Sequence, residues 1–277
     1  MQKTRAYSSA ALSSIFKVWK DENGEIIGST GVGFTVNKGV IVTALHSQKN
    51  EIIVNGKIAV FPAVQYVIDQ LSSSPVQIMV ETQLPLGVGF GLSGACSLAA
   101  AYAIGKLFQL QKSALDLAFV AEKADRESNT GLGTVGTVFT GGFFIKDKPG
   151  IPIVGRKLNF SGEKIYSVIF DSIATENVLT GDSEKINSTA DIAFNTFKNK
   201  ENLTLGEIID ISYEFSKESG LLQNEKVKAA IESVRSHGGH ASMHMVGNAV
   251  FSTTKNGLEQ YGDVLELEIA GESAKIL

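Results

Sequence analysis

The glycine-rich segment from Pro85 to Ala95, PLGVGFGLSGA, constrains the fold more than any other part of this chain. Three alternate glycines remove side chains there and permit positive φ angles: Gly87, Gly89 and Gly91. The segment runs into an apolar stretch of small residues, from about Ser93 to Phe108, which predicts a helix buried on almost all sides. A bare loop that ends on a helix N-terminus brings backbone N–H groups close to an anion, so we expect phosphate binding.

The spacing of this loop excludes two common nucleotide-binding motifs. No Gly-Lys-Ser/Thr follows the glycines, as a Walker A box requires, and the pattern G-x-G-x-G-x-x-G comes too late in the chain for a dinucleotide fingerprint. Ser93 could cap the helix, or it could contact a phosphate oxygen or Mg²⁺. The alternative is a close-packed glycine turn without a ligand, but the coupling to Ser93 and a helix favours phosphate.

Composition excludes several other classes of protein. Hydrophobic residues make up 43% of the 277 residues, which is enough for a large core, and the single cysteine, Cys96, allows no internal disulfide. The net charge of -4 argues against a general nucleic-acid-binding surface. No apolar run reaches the length of a signal peptide or a membrane span, so we expect a cytoplasmic protein without a membrane partner.

The order of predicted elements indicates an α+β fold in two halves. Residues Gly28–Leu45 predict two β segments with a turn at Asn37-Lys38-Gly39, and Asn55-Gly56 predicts a hairpin. Turn residues at 148–152 mark a candidate domain boundary. Further predicted helices lie near Val64–Leu71, Ser113–Lys123, Thr189–Phe197, Leu205–Lys217 and Glu225–Arg235, and further strands near Val76–Glu81, Gly141–Lys146, Tyr166–Phe170, Met243–Thr254 and Val264–Ile269.

The segment PLGVGFGLSGA resembles the second motif of the GHMP kinase superfamily, which wraps the phosphates of ATP. Ordered matches extend along nearly the whole chain and are most similar to archaeal pantoate kinases. They lie at Gly28–Phe34 (GSTGVGF), Ala118–Glu122 (AFVAE), Gly131–Val135 (GLGTV), Gly141-Gly142, Pro149-Gly150, residues 174–179 (ATENVL) and Ser242–Asn248 (SMHMVGN).

This resemblance implies a fold, a cofactor and a set of site residues. The implied fold is the two-domain GHMP arrangement: a ribosomal S5 domain 2-like unit over residues 1–155 and a ferredoxin-like unit over residues 156–277, with ATP between them. Dimerisation is common in the family, so a homodimer is compatible with the resemblance. Ser93 and Glu122 would hold Mg²⁺. The implied ATP-binding residues are Pro85, Gly87, Val88, Gly89, Phe90, Gly91, Leu92, Ser93, Gly94 and Ala95.

One departure from the family concerns the general base. Many members have an aspartate in the GLGD element, where this chain has Thr134, and a threonine hydroxyl cannot act as a base near neutral pH. Homoserine kinase also lacks the aspartate and relies on positioning. We expect the same here and rank it above recruitment of Asp125 or Glu127. Thr134 remains a candidate catalytic position, together with Ser93 and Glu122.

Other departures fall on positions associated with the acceptor. The pantoate-kinase motif P-A-H-I-T is replaced by residues 9–13 (SAALS), a histidine by Phe119 and an arginine by Lys146. These losses favour a mevalonate 3-phosphate 5-kinase, which phosphorylates a primary hydroxyl of a small branched hydroxy acid. Alternatives are a pantoate kinase or a non-catalytic ATP-binding relative; Thr134 counts against a decarboxylase. The basic residues near these elements are suggestive only as a group: Lys123, Arg126, Lys146, Lys148, Arg156, His237, His240 and His244.

Overall fold

The computed structural model describes residues 3–171, 183–245 and 247–277, which form two β-sheets and their covering helices. The predicted α+β class is confirmed. The strands are β1 (Lys3–Lys20), β2 (Ile26–His46), β3 (Glu51–Val54), β4 (Lys57–Ile58), β5 (Val76–Thr82), β6 (Phe143–Lys148), β7 (Val154–Leu158), β8 (Lys164–Asp171), β9 (Ala241–Met243), β10 (Asn248–Ser252), β11 (Leu265–Glu268) and β12 (Lys275–Ile276). The helices are α1 (Pro62–Leu71), α2 (Leu92–Leu107), α3 (Ala114–Glu127), α4 (Thr134–Thr140), α5 (Ser183–Lys198), α6 (Leu205–Glu218) and α7 (Glu225–Ser236).

The long strand β2 is the spine of the first sheet. It pairs with β1 along most of its length, with β6 over its first half and with β5 over its second half. The order is β12-β1-β2-β5-β3-β4, and β7 is added outside β6. β3 runs parallel to β5, and α1 lies between them in the chain. β2 therefore contacts both α2, which packs on the sheet, and β6, which pairs with β2 within the sheet.

The two β segments predicted for Gly28–Leu45 are wrong as separate strands, because β2 runs through Asn37-Lys38-Gly39 without a turn. Gly39 serves a different purpose. A Cβ there would lie 2.1 Å from the carbonyl oxygen of Ser8, so glycine allows β1 to approach β2. The register of β1 against β2 shifts directly after Ser9, where the pairing contains a bulge.

The predicted buried helix is confirmed as α2, which packs on β1, β2, α1 and α3. Alanine, glycine and serine on its surface let these neighbours approach closely; a Cβ at Gly105 would meet Leu117 of α3 at 2.9 Å. The predicted hairpin at Asn55-Gly56 is also confirmed. Ser113 and Asp116 form the capping box that starts α3.

The second sheet has the antiparallel order β11-β8-β10-β9 and is covered by α6 and α7. The strand-like run predicted after His240 is two strands, β9 and β10, joined by a short connection. β7 pairs with β6, so the first sheet extends to Leu158, beyond the turn at 148–152. The division at residue 155 stays a prediction, and the ATENVL match at 174–179 lies outside the described residues. No helix in the described part of the chain could cross a membrane.

Candidate active site

A cleft of about 470 Å³ opens beside the segment Pro85–Ser93, which we call the phosphate loop. Its other walls come from β1 and β2, from the segment that joins α3 to α4, and from β6. The lining includes six of the ten predicted ATP-binding residues. These are Gly87, Gly89, Phe90, Gly91, Leu92 and Ser93. The other four lie beside the lining: Pro85 is exposed, and Val88, Gly94 and Ala95 are buried.

The phosphate loop has the backbone that its glycines predict. Gly87, Gly89 and Gly91 have φ angles of 76°, 88° and 60°, a region that L residues with side chains rarely adopt. Gly91 is also the N-cap of α2, and no side chain caps this helix. The first N–H groups of α2 are therefore free to bind an anion, and the helix dipole favours negative charge there.

Close packing from the second sheet fixes the loop in place. A Cβ at Gly89 would lie 2.7 Å from the Cβ of His244, and one at Gly247 would lie 2.4 Å from the carbonyl oxygen of Val88. Ala11 of β1 donates its N–H to the carbonyl of Phe90 at 3.0 Å. The loop is thus held between β1 and the connection that joins β9 to β10.

We expect Gly89→Ala to weaken ATP binding about tenfold or more, because the new methyl group would displace either the loop or His244. The positive φ adds about 1–2 kcal/mol of strain. Gly56→Ala is the matched control: its φ is 80°, but nothing lies within 4 Å of the added Cβ. Calorimetric titration with ATP checks both variants. Equal affinities in the two variants would show that the contact with His244 does not matter.

Ser93 belongs to a hydrogen-bonded chain that ends on a buried carboxylate. Its Oγ donates to Thr130 Oγ1 at 2.7 Å, and Thr130 Oγ1 donates to Asp125 Oδ1 at 2.7 Å. Asp125 is only 2% exposed, and its Oδ2 has no hydrogen-bond partner among the described residues. Burial raises the pKa of this carboxyl, while hydrogen bonds from Thr130 and Ser93 lower it. A hydroxyl and an unsatisfied carboxylate oxygen are ligands that suit a hard divalent cation.

Glu122, which the family pattern assigned to the metal, lies in a different environment. Burial raises the pKa of Glu122, and the positive charges of Lys146 and Arg126 oppose that shift. The hydrogen bonds of Ser93 lead to Asp125, which lies three residues further along α3. Both carboxylates are near the cleft, but Asp125 is the one coupled to Ser93.

The family pattern that assigns the metal to Glu122 is ambiguous in α3, and that assignment stays a prediction. The pattern A-x-x-A followed by an acidic residue occurs twice in overlap, ending at Glu122 and again at Asp125. Both residues precede the Gly131 loop. The signal that distinguishes them is Gly131 itself, where a Cβ would lie 2.1 Å from Asp125 Oδ2.

Thr134 begins α4 and lines the cleft, and a Cβ at Gly91 would meet its Cγ2 at 2.5 Å. The residue that replaces the family aspartate therefore does lie next to the phosphate loop. Phe119 does not line the cleft: its side chain is 46% exposed on α3. Phe119 is thus not evidence about the acceptor, contrary to the interpretation from the sequence.

Lys146 of β6 is the one cationic side chain that lines the cleft in the described residues. It is 5% exposed, and no carboxylate of the described residues lies within 4 Å of its Nζ. Burial lowers the pKa of Lys146, and the charge of Glu122 acts in the opposite direction. A buried cation without a close counter-ion is costly, and this is typical of a group that awaits an anionic ligand.

The other basic residues grouped from the sequence do not line the cleft. Arg156 donates to the carbonyls of Phe197 and Lys200 at the end of α5. His240 pairs with Asp210 at 2.8 Å. Of the remaining residues in that group, Lys123 and Lys148 are exposed, and Arg126 is half-buried near Glu122. His237 contacts Ser233, and His244 is buried beneath the phosphate loop.

Comparison with known proteins agrees with this geometry. Residues 58–142, which include the phosphate loop, match the family model "GHMP kinases N terminal domain". The pantoate kinase of Methanocaldococcus jannaschii is 31% identical over 251 residues, 88% of this chain and 90% of that one. The pantoate kinase of Methanospirillum hungatei is 26% identical and covers the whole chain and 98% of its own length.

Among solved structures, one described as a phosphotransferase related to the CoA biosynthesis pathway superposes with a TM-score of 0.84. It is 22% identical and covers 100% of this chain and 99% of its own. At that identity the likeness shows the fold, and the curated relatives show the family. The chain belongs to the GHMP kinase superfamily as a relative of the pantoate kinases, and it is an ATP-dependent kinase with a hydroxyl group as acceptor.

Proposed function

We propose that this protein phosphorylates the primary hydroxyl of a small branched hydroxy acid with one carboxylate, and that its substrate is pantoate. The observation that carries this proposal is Lys146, which is buried and is the one cation that lines the cleft among the described residues. One lysine matches one carboxylate. Both curated relatives compared above are named pantoate kinase, which supports the same substrate.

The charge of the cleft disfavours mevalonate 3-phosphate, the substrate preferred from the sequence. That acceptor carries a phosphate in addition to a carboxylate, so its site needs several cations. The lining offers one, and residues 172–182, which the structure does not describe, contain no lysine or arginine. Mevalonate 3-phosphate is therefore the second candidate. It is favoured by the replacement of the family arginine by Lys146 and of the P-A-H-I-T motif by residues 9–13, of which Ala11 and Ser13 line the cleft.

Apolar residues beside Lys146 suit the branched carbon of such an acid. Phe144 and Lys146 are two residues apart on β6, so their side chains lie on the same face of the sheet. Phe16 and Ile15 of β1 also line this part of the cleft, while Gly31 and Gly33 of β2 leave space between them. The carboxylate would pair with Lys146 while the hydrocarbon packs on the aromatic rings.

The phosphate loop and the N-terminus of α2 also line the cleft and would bind the phosphates of ATP. Apolar side chains at the rim, from Val60, Phe61 and Leu86, would pack against the nucleobase. The acceptor hydroxyl would then face the terminal phosphate, and catalysis would rest on positioning and charge neutralisation.

We further propose that Mg²⁺ accompanies ATP and is held by Ser93 and Asp125. The unsatisfied Oδ2 of Asp125 fits such an ion, because a buried carboxylate oxygen lacking a partner is otherwise costly. When bound, the ion would neutralise charge on the transferring phosphoryl group. Thr134 provides no carboxylate at the family base position. The acceptor hydroxyl would then keep its proton until the phosphoryl group arrives, and the proton would pass to an oxygen of that transferred group and from there to water.

Release of ADP by the purified protein tests the proposal, measured with pantoate, mevalonate 3-phosphate and uncharged alcohols as separate acceptors. We expect pantoate to give the highest kcat/KM. A preference for mevalonate 3-phosphate would overturn the substrate assignment. ATP binding without turnover of any acceptor would indicate the non-catalytic alternative.

A further inference from the structure

His244 lies in the connection between β9 and β10 and is completely buried. Its Nε2 is 2.9 Å from Ser167 Oγ of β8. Its Nδ1 has no hydrogen bond of ordinary geometry among the described residues. The ring nevertheless lies close enough to the backbone of Val88, in the phosphate loop, and of Val250 for both to affect its pKa, so His244 does more than fill the core.

The explanation lies in what the ring touches. It meets Phe90 of the phosphate loop edge-to-face, with ring centroids 4.7 Å apart. Beside it, the Cβ of His244 occupies the space that a side chain at Gly89 would need, at 2.7 Å. The imidazole therefore lies directly beneath the part of the loop that faces the cleft.

Backbone hydrogen bonds hold the segment around His244 to β1 and to β10. Met245 donates its N–H to the carbonyl of Ser13 in β1 at 3.2 Å, and His244 donates its N–H to the carbonyl of Ala249 at 2.9 Å. Gly247 packs against Val88, a buried residue of the loop. The second sheet therefore holds the imidazole in place, and the imidazole packs against the phosphate loop.

The contact does not depend on charge. Burial lowers the pKa of His244 to about 3, although the backbone of Val88 and Val250 opposes that shift. The imidazole is therefore neutral near pH 7. Its contribution to the loop comes from shape and from the hydrogen bond that orients the ring.

We propose that His244 is a positioning residue for ATP: oriented by Ser167, it holds Gly89 and Phe90 in the conformation that receives the phosphates. This role rests on the ATP-dependent activity of the family and does not depend on which acid is the acceptor. It makes the second sheet a determinant of nucleotide affinity through the connection that joins β9 to β10.

Two substitutions test this role by calorimetric titration with MgATP. His244→Ala removes the ring, and we expect its Kd for ATP to rise about tenfold or more. His244→Gln places an amide within reach of Ser167, and we expect it to recover part of that loss. In steady-state assays the KM for ATP should rise in both variants, while the KM for the acceptor should stay unchanged.

Phe251→Leu is the matched control, because Phe251 lies in β10 and contacts the same imidazole from the second sheet (ring centroids 5.8 Å apart). It should lower the melting temperature without changing the Kd for ATP. If the His244 variants also lose only thermal stability, the positioning role is wrong. If His244→Ala does not fold, His244→Gln and Ser167→Ala decide the question by the same Kd measurement. Wild-type protein that binds no ATP would overturn the proposed function as well.

Discussion

Asp125→Asn is expected to lower kcat by about 10²–10³-fold without unfolding the protein, the size of effect seen when one preorganised charge-stabilising group is lost. Asparagine has the same shape, and its amide oxygen can still accept the hydrogen bond from Thr130. The negative charge beside Ser93 is lost, so the Mg²⁺ concentration needed for half-maximal rate should rise. Rates measured across a MgCl₂ titration, with the melting temperature alongside, check both expectations.

Glu122→Gln is the matched control, because it makes the same chemical change one helical turn away on α3. Its carboxylate is coupled to Lys146 and Arg126, so we expect a smaller loss, expressed in the KM of the acceptor. If the Mg²⁺ dependence of the rate changes in Glu122→Gln and not in Asp125→Asn, the metal is held by Glu122, as the family pattern implies.

The backbone of the phosphate loop could be predicted because its determinants are local. Alternate glycines favour positive φ angles wherever they occur, and a run of small apolar residues predicts a buried helix. Both properties are present in the structure, with Gly91 in the left-handed region directly before α2. The Asn55-Gly56 hairpin and the Ser113 cap are local in the same way.

Strand β1 and the continuity of β2 could not be predicted, because they depend on distant pairing. Residues 3–20 alternate poorly, with five consecutive buried positions at Ser8–Leu12 that hide the period of two. Asn37-Lys38-Gly39 has turn chemistry, but its glycine is used where Ser8 approaches. Glycine suits both a turn and a position where a neighbouring strand approaches closely, and only the pairing with β1 shows which of the two applies at Gly39.

The choice between Glu122 and Asp125 illustrates the same limit within the site. Residues three apart on a helix lie about 60° apart around its axis, so both can face one cleft. Which one reaches Ser93 depends on the loop that follows α3, where Thr130 bridges the gap and Gly131 leaves room for the carboxylate. That information is tertiary, and no local pattern contains it.

The second large effect is expected for Lys146→Met. Lys146 is the one cation that lines the cleft in the described part of the chain. Its loss should raise the KM for the hydroxy acid about 100-fold, since a buried charge pair that loses one partner costs about 2–5 kcal/mol. The affinity for ATP should change little, because the phosphates would bind to backbone groups of the phosphate loop. Lys146→Arg should retain part of the acceptor affinity.

The same substitution should make the protein more stable. In the absence of substrate, Lys146 is a buried charge without a close counter-ion, and methionine of similar length removes that cost, giving about 1–2 kcal/mol. Lys148→Met, two residues along β6 and exposed, is the matched control and should change neither the KM nor the melting temperature. A variant Lys146→Met that is less stable, or that keeps its acceptor KM, would mean that the lysine serves the fold. Higher stability with weaker acceptor binding would mean that the chain keeps an unfavourable buried charge because its substrate supplies the counter-ion.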